Sequence, residues 1–271
     1  MSLVTRLRRR YLMSRAQADE LRVPFVLAPI HRRSPFLLRG RLRELGAADP
    51  EAFLRELDAD GIHGLVAAAV DEYCRLVPQY APGPGSVDSA EGALLYGLVR
   101  TLGPQAVVET GTASGISTTY LLAALRRNGA GRLISIDLPF EAVDGFDLRA
   151  FVPGATIARE DSSPLPPGRE PGWAIPDELR ARWDLHLGDA RELLPALIGE
   201  LCRIELFFHD SLHSREHMLF EFEAAWPHLV PGGMVVADDV FQREHDALTA
   251  FARAVERPFT TFGNLGIVVK Q

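Results

Sequence analysis

The chain has 271 residues, 47% of them hydrophobic, which is enough apolar material for a sizeable core. Its 29 basic and 36 acidic residues leave a net charge of -7, too acidic overall to suggest a nucleic-acid partner. No apolar run reaches the roughly 20 residues that span a bilayer, and the two cysteines, Cys74 and Cys202, lie too far apart in sequence to suggest a disulfide framework. A soluble enzyme of the reducing cytoplasm, with no membrane partner, is the expectation.

Residues 1 to about 48 are arginine-rich and interrupted by Pro24, Pro29 and Pro35, so short helices and extended pieces are expected there. Arg6, Arg8, Arg9 and Arg10 precede no apolar signal core and read as a solvated helix face. From Pro50 to Leu76 the spacing of Phe53, Leu54, Leu57, Ile62, Leu65, Val66 and Val70 is helical. The Pro- and Gly-rich stretch 78–85 reads as a linker or mobile loop. It divides an N-terminal helical extension, 1–85, from a sheet domain, 86–271, that opens with a helix from Ser89 to Leu102.

A short apolar strand, Val107-Val108-Glu109-Thr110, then runs into the turn Gly111-Thr112-Ala113-Ser114-Gly115 and a helix start, where Ser117 and Thr118 suit a cap. Such a turn suits nucleotide cradling. Its Gly-x-x-x-Gly spacing lacks the order that a dinucleotide pyrophosphate needs, and Glu109 would repel a diphosphate while welcoming a cation. Strands Arg132–Asp137 and Trp183–Leu187 follow, the latter leading into Gly188-Asp189-Ala190. Between them an insertion of about 139–176 carries Pro153, Pro164, Pro166, Pro167 and Pro171, and a loop of that length suggests a lid facing the substrate. A short helix, Asp177 to Arg182, ends it.

Further on, Ile204 to Asp210 is an apolar strand ending in an acid, and Arg215 to about His228 reads as an amphipathic helix. Pro231-Gly232-Gly233 reads as a turn before the strand Gly233 to Asp239. Glu109, Asp137 and Asp189 thus close three successive strands at the carboxyl ends, where open α/β sheets bind ligands. Side-by-side strands would also bring Asp210, Asp238 and Asp239 to one patch. Three carboxylates raise one another's pKa unless a cation neutralises them, and hard divalent metals prefer such oxygen ligands. The alternative is that these acids cap helices or face water.

These motifs resemble the class I S-adenosylmethionine-dependent methyltransferases, above all the metal-dependent O-methyltransferases of the catechol and natural-product type, from about Ser89 to Gln271. The resemblance implies an α/β, Rossmann-like fold, a mixed seven-stranded sheet with helices on both faces, here with an N-terminal helical extension. By the same resemblance Gly111 lies under the methionine part of the cofactor S-adenosyl-L-methionine, with Glu109 and Ser117 at its amino-acid end. Asp137 corresponds to the ribose-binding acid, and Asp189 with Ala190 to the pair beside adenine. Asp210, Asp238 and Asp239 correspond to ligands of a divalent ion such as Mg2+.

The chain departs from that pattern at the base. Catechol-type enzymes carry a lysine three residues beyond the first metal acid, whereas Asp210-Ser211-Leu212-His213 has histidine there and Lys270 is the single lysine of the sequence. His213 has suitable chemistry for taking a hydroxyl proton, with Asp210 beside it and His245 as a reserve. His209 reads as an orienting or packing residue, and His217 and His228 as helix-surface residues. The resulting expectation is methyl transfer to a hydroxyl of a small molecule, with a secondary metabolite as substrate. Metal-independent N-methylation, a non-catalytic cofactor-binding protein and a nicotinamide-dependent oxidoreductase stand as alternatives. The N-terminal segment, as a wrapping or swapped element, leaves self-association open.

Overall fold

The computed structural model describes residues 35–78, 87–138, 165–240 and 246–271. Three helices come first: α1 (Pro35–Glu44), α2 (Pro50–Ala59) and α3 (Ile62–Leu76). Asp49 caps α2 by accepting from the Ala52 N–H, with Pro50 in the first turn, and the chain breaks at Gly61 before α3. Helix α4 (Ser89–Leu102) starts with a capping box, in which Asp88 accepts from the Ala90 and Glu91 N–H groups and the Glu91 carboxylate accepts from the Asp88 N–H.

The remaining elements alternate strand and helix: β1 (Ala106–Thr110), α5 (Ile116–Asn128), β2 (Arg132–Asp137), β3 (Trp183–Leu187), α6 (Ala190–Leu201), β4 (Ile204–His209), α7 (Arg215–Ala225), β5 (Leu229–Ala237) and α8 (Ala247–Ala254), closed by the hairpin β6 (Phe259–Phe262) and β7 (Leu265–Val269). Asp177–Arg182 forms a 3-10 helix before β3. The strands make one seven-stranded sheet in the order β3-β2-β1-β4-β5-β7-β6. β1 to β5 are parallel, and β7 runs antiparallel to β5. The order reverses at β1 and β4, so the crevice between their carboxyl ends is the topological switch point.

Strand residues alternate between two buried faces, which explains the near-continuous apolar runs of a parallel sheet. Val107, Leu133, Leu206, Phe208 and Val236 pack under α4 and α5 in one cluster, while Val108, Ile134, Phe207, Val235 and Ala237 pack under α6, α7 and α8 in another. The first cluster also contains Leu38, Leu42, Leu57, Ile62 and Val66 from α1, α2 and α3. The described part of the N-terminal extension therefore shares its core with the sheet. Arg100 reinforces the join by binding Glu56 through Nε and Nη2, at 2.8 and 3.0 Å.

One element differs from its sequence reading. Pro231-Gly232-Gly233 is part of β5 and no separate turn: the Gly232 N–H donates to Lys270 O and the Lys270 N–H to Gly233 O, while the register against β4 shifts between Ile204 and Leu206. Pairing with the end of the chain supplies the backbone partners that a turn signal cannot reveal. The expected linker at 78–85 falls almost wholly outside the described residues, as does 139–164 of the insertion. A shared core predicts that Leu57→Ala, at a fully buried position, lowers the stability of the whole chain by about 2–5 kcal/mol in a single unfolding transition. Denaturation followed by circular dichroism and tryptophan fluorescence checks this, and a separate early transition for the helical segment would contradict it.

Candidate functional site

The turn after β1 is shaped by its own neighbours. Gly111 has φ +85, and a Cβ there would lie 2.0 Å from the carbonyl oxygen of Asp210, so only glycine lets β1 and β4 close up at this point. Gly115, at φ +88, is the residue before α5, and a Cβ on it would meet Ile175 and Gly172. Ala113 is also left-handed, at φ 44. The ligand approach expected to explain both glycines is thus joined by a packing reason.

Ser117 and Thr118 do not cap α5, because they lie inside it and their hydroxyls point back at Glu109. The Glu109 carboxylate accepts from Ser117 Oγ at 3.3 Å, from Thr118 Oγ1 at 2.9 Å and from Ser135 Oγ at 2.7 Å. Ser135 in turn accepts from Trp183 Nε1. Glu109 is fully buried. Burial pushes its carboxyl up to about 7, although the three hydroxyl donors favour the charged form. It supports the turn from below.

Asp137 closes β2 with its Oδ2 accepting from the Thr112 and Ala113 N–H groups at 2.7 and 2.6 Å. The amides that could have cradled a phosphate are therefore already engaged by a carboxylate. Burial raises the Asp137 pKa, and the two amides work in the opposite sense. Asp189 caps α6 by accepting from the Arg191 N–H at 2.8 Å, and Ala190 is buried in the first turn. Register pairs Asp137 with Leu187, which places Asp189 two residues beyond the neighbouring strand end. Leu138 and Leu187 are 50% and 58% exposed, so apolar surface lies beside both acids.

Across the switch point Asp210, Asp238 and Asp239 lie close enough for their charges to act on one another. Burial first, then the charges of Asp238 and Asp239, raises the Asp210 carboxyl well above the carboxylate range. Burial, Asp239 and Glu91 do the same to Asp238. Asp238 Oδ1 is buried with no hydrogen-bond partner, and Asp239 adopts φ 56. The three acids form one charged patch, but among the described residues no three His, Cys, Asp or Glu side chains are arranged to hold a metal ion. The oxygen donors are of the kind a hard cation prefers, and the unmatched Oδ1 is a buried acceptor without a donor.

His213 lies in the loop between β4 and α7, its ring edge-on to His209 with centroids 5.2 Å apart. His245 falls outside the described residues. His217 is a correction to the sequence reading: it is 4% exposed, and its Nε2 lies 2.8 Å from Glu221 Oε1. Glu221, also fully buried, meets His209 Nδ1 at 2.6 Å and accepts from Thr110 Oγ1 at 2.6 Å and Ser211 Oγ at 2.9 Å. Burial alone would raise its pKa, but His209 and His217 hold it well below the carboxylate range. A signal existed in the sequence, since 217 and 221 flank the buried helical stripe of Met218, Phe222 and Ala225.

Residues 165–176 of the insertion lie against the turn. The Gly172 and Ala174 N–H groups donate to Ala113 O and Ser114 O, and Trp173 Nε1 donates to Ser114 Oγ. Arg169 stacks on Trp173 and pairs with Glu72 of α3, linking the turn to the N-terminal helices.

Residues 108–240 match the family described as a methyltransferase domain. A protein of Mycolicibacterium vanbaalenii named "Putative O-methyltransferase" is 34% identical over 95 residues, which cover 34% of this chain and 42% of that one. A similarly named protein of Mycolicibacterium smegmatis is 38% identical over 76 residues, covering 27% and 36%. The matches thus span less than half the length of either relative. Among solved structures, a methyltransferase from Geobacter sulfurreducens is similar with a TM-score of 0.50 at 18% identity, covering 76% of this chain and 87% of that one. Its likeness is one of fold, and the matched family marks residues 108–240 as a methyltransferase domain.

Proposed function

We propose that the chain transfers a methyl group from S-adenosylmethionine to an oxygen of a small molecule, with a divalent ion at the Asp210, Asp238 and Asp239 patch. The observation that carries this reading is the engagement of the turn amides by Asp137. A pyrophosphate would have to displace that carboxylate and would face Glu109 beneath it, whereas a ligand with a positive centre and ribose hydroxyl donors matches an acid-lined crevice. This speaks against the nicotinamide alternative. Leu138 and Leu187 beside Asp189 offer a purine ring apolar surface with an acid at its edge. The names of the two mycobacterial relatives support an oxygen acceptor.

S-adenosylmethionine, when bound, supplies a methyl group on a sulfonium, and its C–S bonding pair stays with sulfur as the new O–C bond forms. Asp137 would hold the ribose and Asp189 the adenine end, while Glu109 and Ser117 keep the turn in shape for the amino-acid end. A divalent ion held by Asp210, Asp238 and Asp239 would acidify a hydroxyl placed against it. His213 takes the hydroxyl proton on a ring nitrogen. Alignment of acceptor and donor is the larger contribution, since oriented reactants avoid most of the entropic barrier. A hydroxylated secondary metabolite is the substrate class we favour.

Two outcomes test this function. Asp137→Ala should weaken binding of S-adenosylhomocysteine by about 1.5–3 kcal/mol, the range for a hydrogen bond to a charged group. Calorimetry giving the wild-type affinity would remove Asp137 from the site.

The acid patch predicts a pH-dependent metal response. Asp210 and Asp238 have raised pKa values in the folded chain, so their contribution to stability is present below the ordinary aspartate value of 3.8 and is lost as pH rises through the raised values. A divalent ion offsets that loss where the acids are ionised. Mn2+ at a hundredfold excess over its Kd should stabilise the protein by about 2.7 kcal/mol at pH 8, distinctly less at pH 5, and not measurably in Asp238→Asn. Thermal melts with and without Mn2+ check this. No response at either pH would remove the metal and favour N-methylation.

A further inference from the structure

Glu221 is built into the fold as an acceptor for four donors from three segments. Strand alternation places Thr110 and His209, which are register partners on β1 and β4, on the same face of the sheet. Glu221 reaches them from α7 and takes both on Oε2, while Oε1 takes Ser211 Oγ, just beyond Asp210, and His217 Nε2 from its own helix. An ionised carboxylate has no proton to give, so His209 Nδ1 and His217 Nε2 are the donors. Arg191 Nε donates to His217 Nδ1 at 3.4 Å, which agrees with that tautomer. His209 Nε2 is left buried without a hydrogen-bond partner.

Backbone bonds also hold this corner. The Asp210 N–H donates to Thr110 O at 2.8 Å, and the Asp238 N–H donates to His209 O at 2.9 Å. Thr110 immediately precedes Gly111, and Ser211 lies between Asp210 and His213. The four side-chain bonds to one carboxylate therefore connect the start of the cofactor turn with the loop that bears the acid and the histidine.

We propose that Glu221 is a positioning residue, locking the 209–213 loop to the end of β1 so that the cofactor turn and the acceptor side of the site move as one body. The functional meaning of the lock rests on the methyl-transfer reading; the lock itself does not. A carboxylate is required because only an acceptor with two free oxygens can take four donors at once. Gln at this position would turn an amide N–H2 towards two of those donors and release one side of the lock. The cost of a buried unsatisfied group would fall on the loop, since the strands are held by their own ladder.

Hydrogen–deuterium exchange on the full chain, first without ligand, tests this. In Glu221→Gln, amides of 209–214 should exchange about tenfold faster, as expected for losing one such bond, while β2 and α5 keep wild-type rates. Ser211→Ala, a milder change should Glu221→Gln fail to fold, should accelerate the same segment. His209→Asn, which keeps a donor near the place of Nδ1, should leave it protected. Unchanged exchange at 209–214 in Ser211→Ala and Glu221→Gln would overturn the lock, as would faster exchange spread evenly over the sheet, the mark of a merely structural residue. A saturating addition of S-adenosylhomocysteine should slow 209–214 in the wild type and not in Glu221→Gln. Slowing in both would overturn the coupling, whereas failure of the wild type to bind the compound by calorimetry would count against the cofactor assignment and leave the ligand-free comparison to decide the lock.

Discussion

The carboxyl end of β1 imposes the constraint on which the site depends. β1 lies between β2 and β4 and is buried on both faces, yet it ends in Glu109 and Thr110, whose polar groups must be satisfied without water. Alternation sends them in opposite directions. Glu109 finds hydroxyls from α5 and β2 on one face, and Thr110 finds Glu221 from α7 on the other. Two fully buried carboxylates, one above the sheet and one below, thereby fix the strand end from which the glycine turn departs.

Electrostatics then separates those two acids by their partners. Glu109 has only hydroxyl donors and its pKa rises to about 7, whereas Glu221 has two imidazoles and stays ionised. Asp210 and Asp238 have each other, and both are raised. Acidic groups with raised pKa values therefore gather near the switch point. Where these groups are ionised, such a site would disfavour a diphosphate and suit the positively charged ligand and the cation proposed above. The backbone pays for this arrangement with left-handed Ala113 and Asp239, both at the rim of the same crevice.

Much of this was legible in the sequence because it rests on local signals. The helix Ser89–Leu102, β2 from Arg132 to Asp137 and β3 from Trp183 to Leu187 have the boundaries their patterns predict. The acids at strand ends were visible as the last polar residue of each apolar run, and a parallel order brings them to one edge. What could not be read depends on partners remote in sequence. Pro231-Gly232-Gly233 looks like a turn until Lys270 pairs with it. Ser117 and Thr118 look like caps until Glu109 is seen beneath them, and His217 looks like a surface residue until Glu221 and Arg191 are found at its two ring nitrogens. Polar residues inside a buried stripe were the available clue, and only tertiary contacts show what satisfies them.

The central proposal is that the edge formed by β1, β2 and β3 binds S-adenosylmethionine through Asp137 and Asp189, with Glu109 shaping the turn. A crystal structure of the chain with S-adenosylhomocysteine tests it most directly. The account predicts ribose hydroxyls on Asp137, the adenine between Leu138 and Leu187 beside Asp189, and the amino-acid end at the Gly111 turn. A ligand bound elsewhere, or with Asp137 still turned wholly to the Thr112 and Ala113 amides and untouched by the ribose, would contradict it.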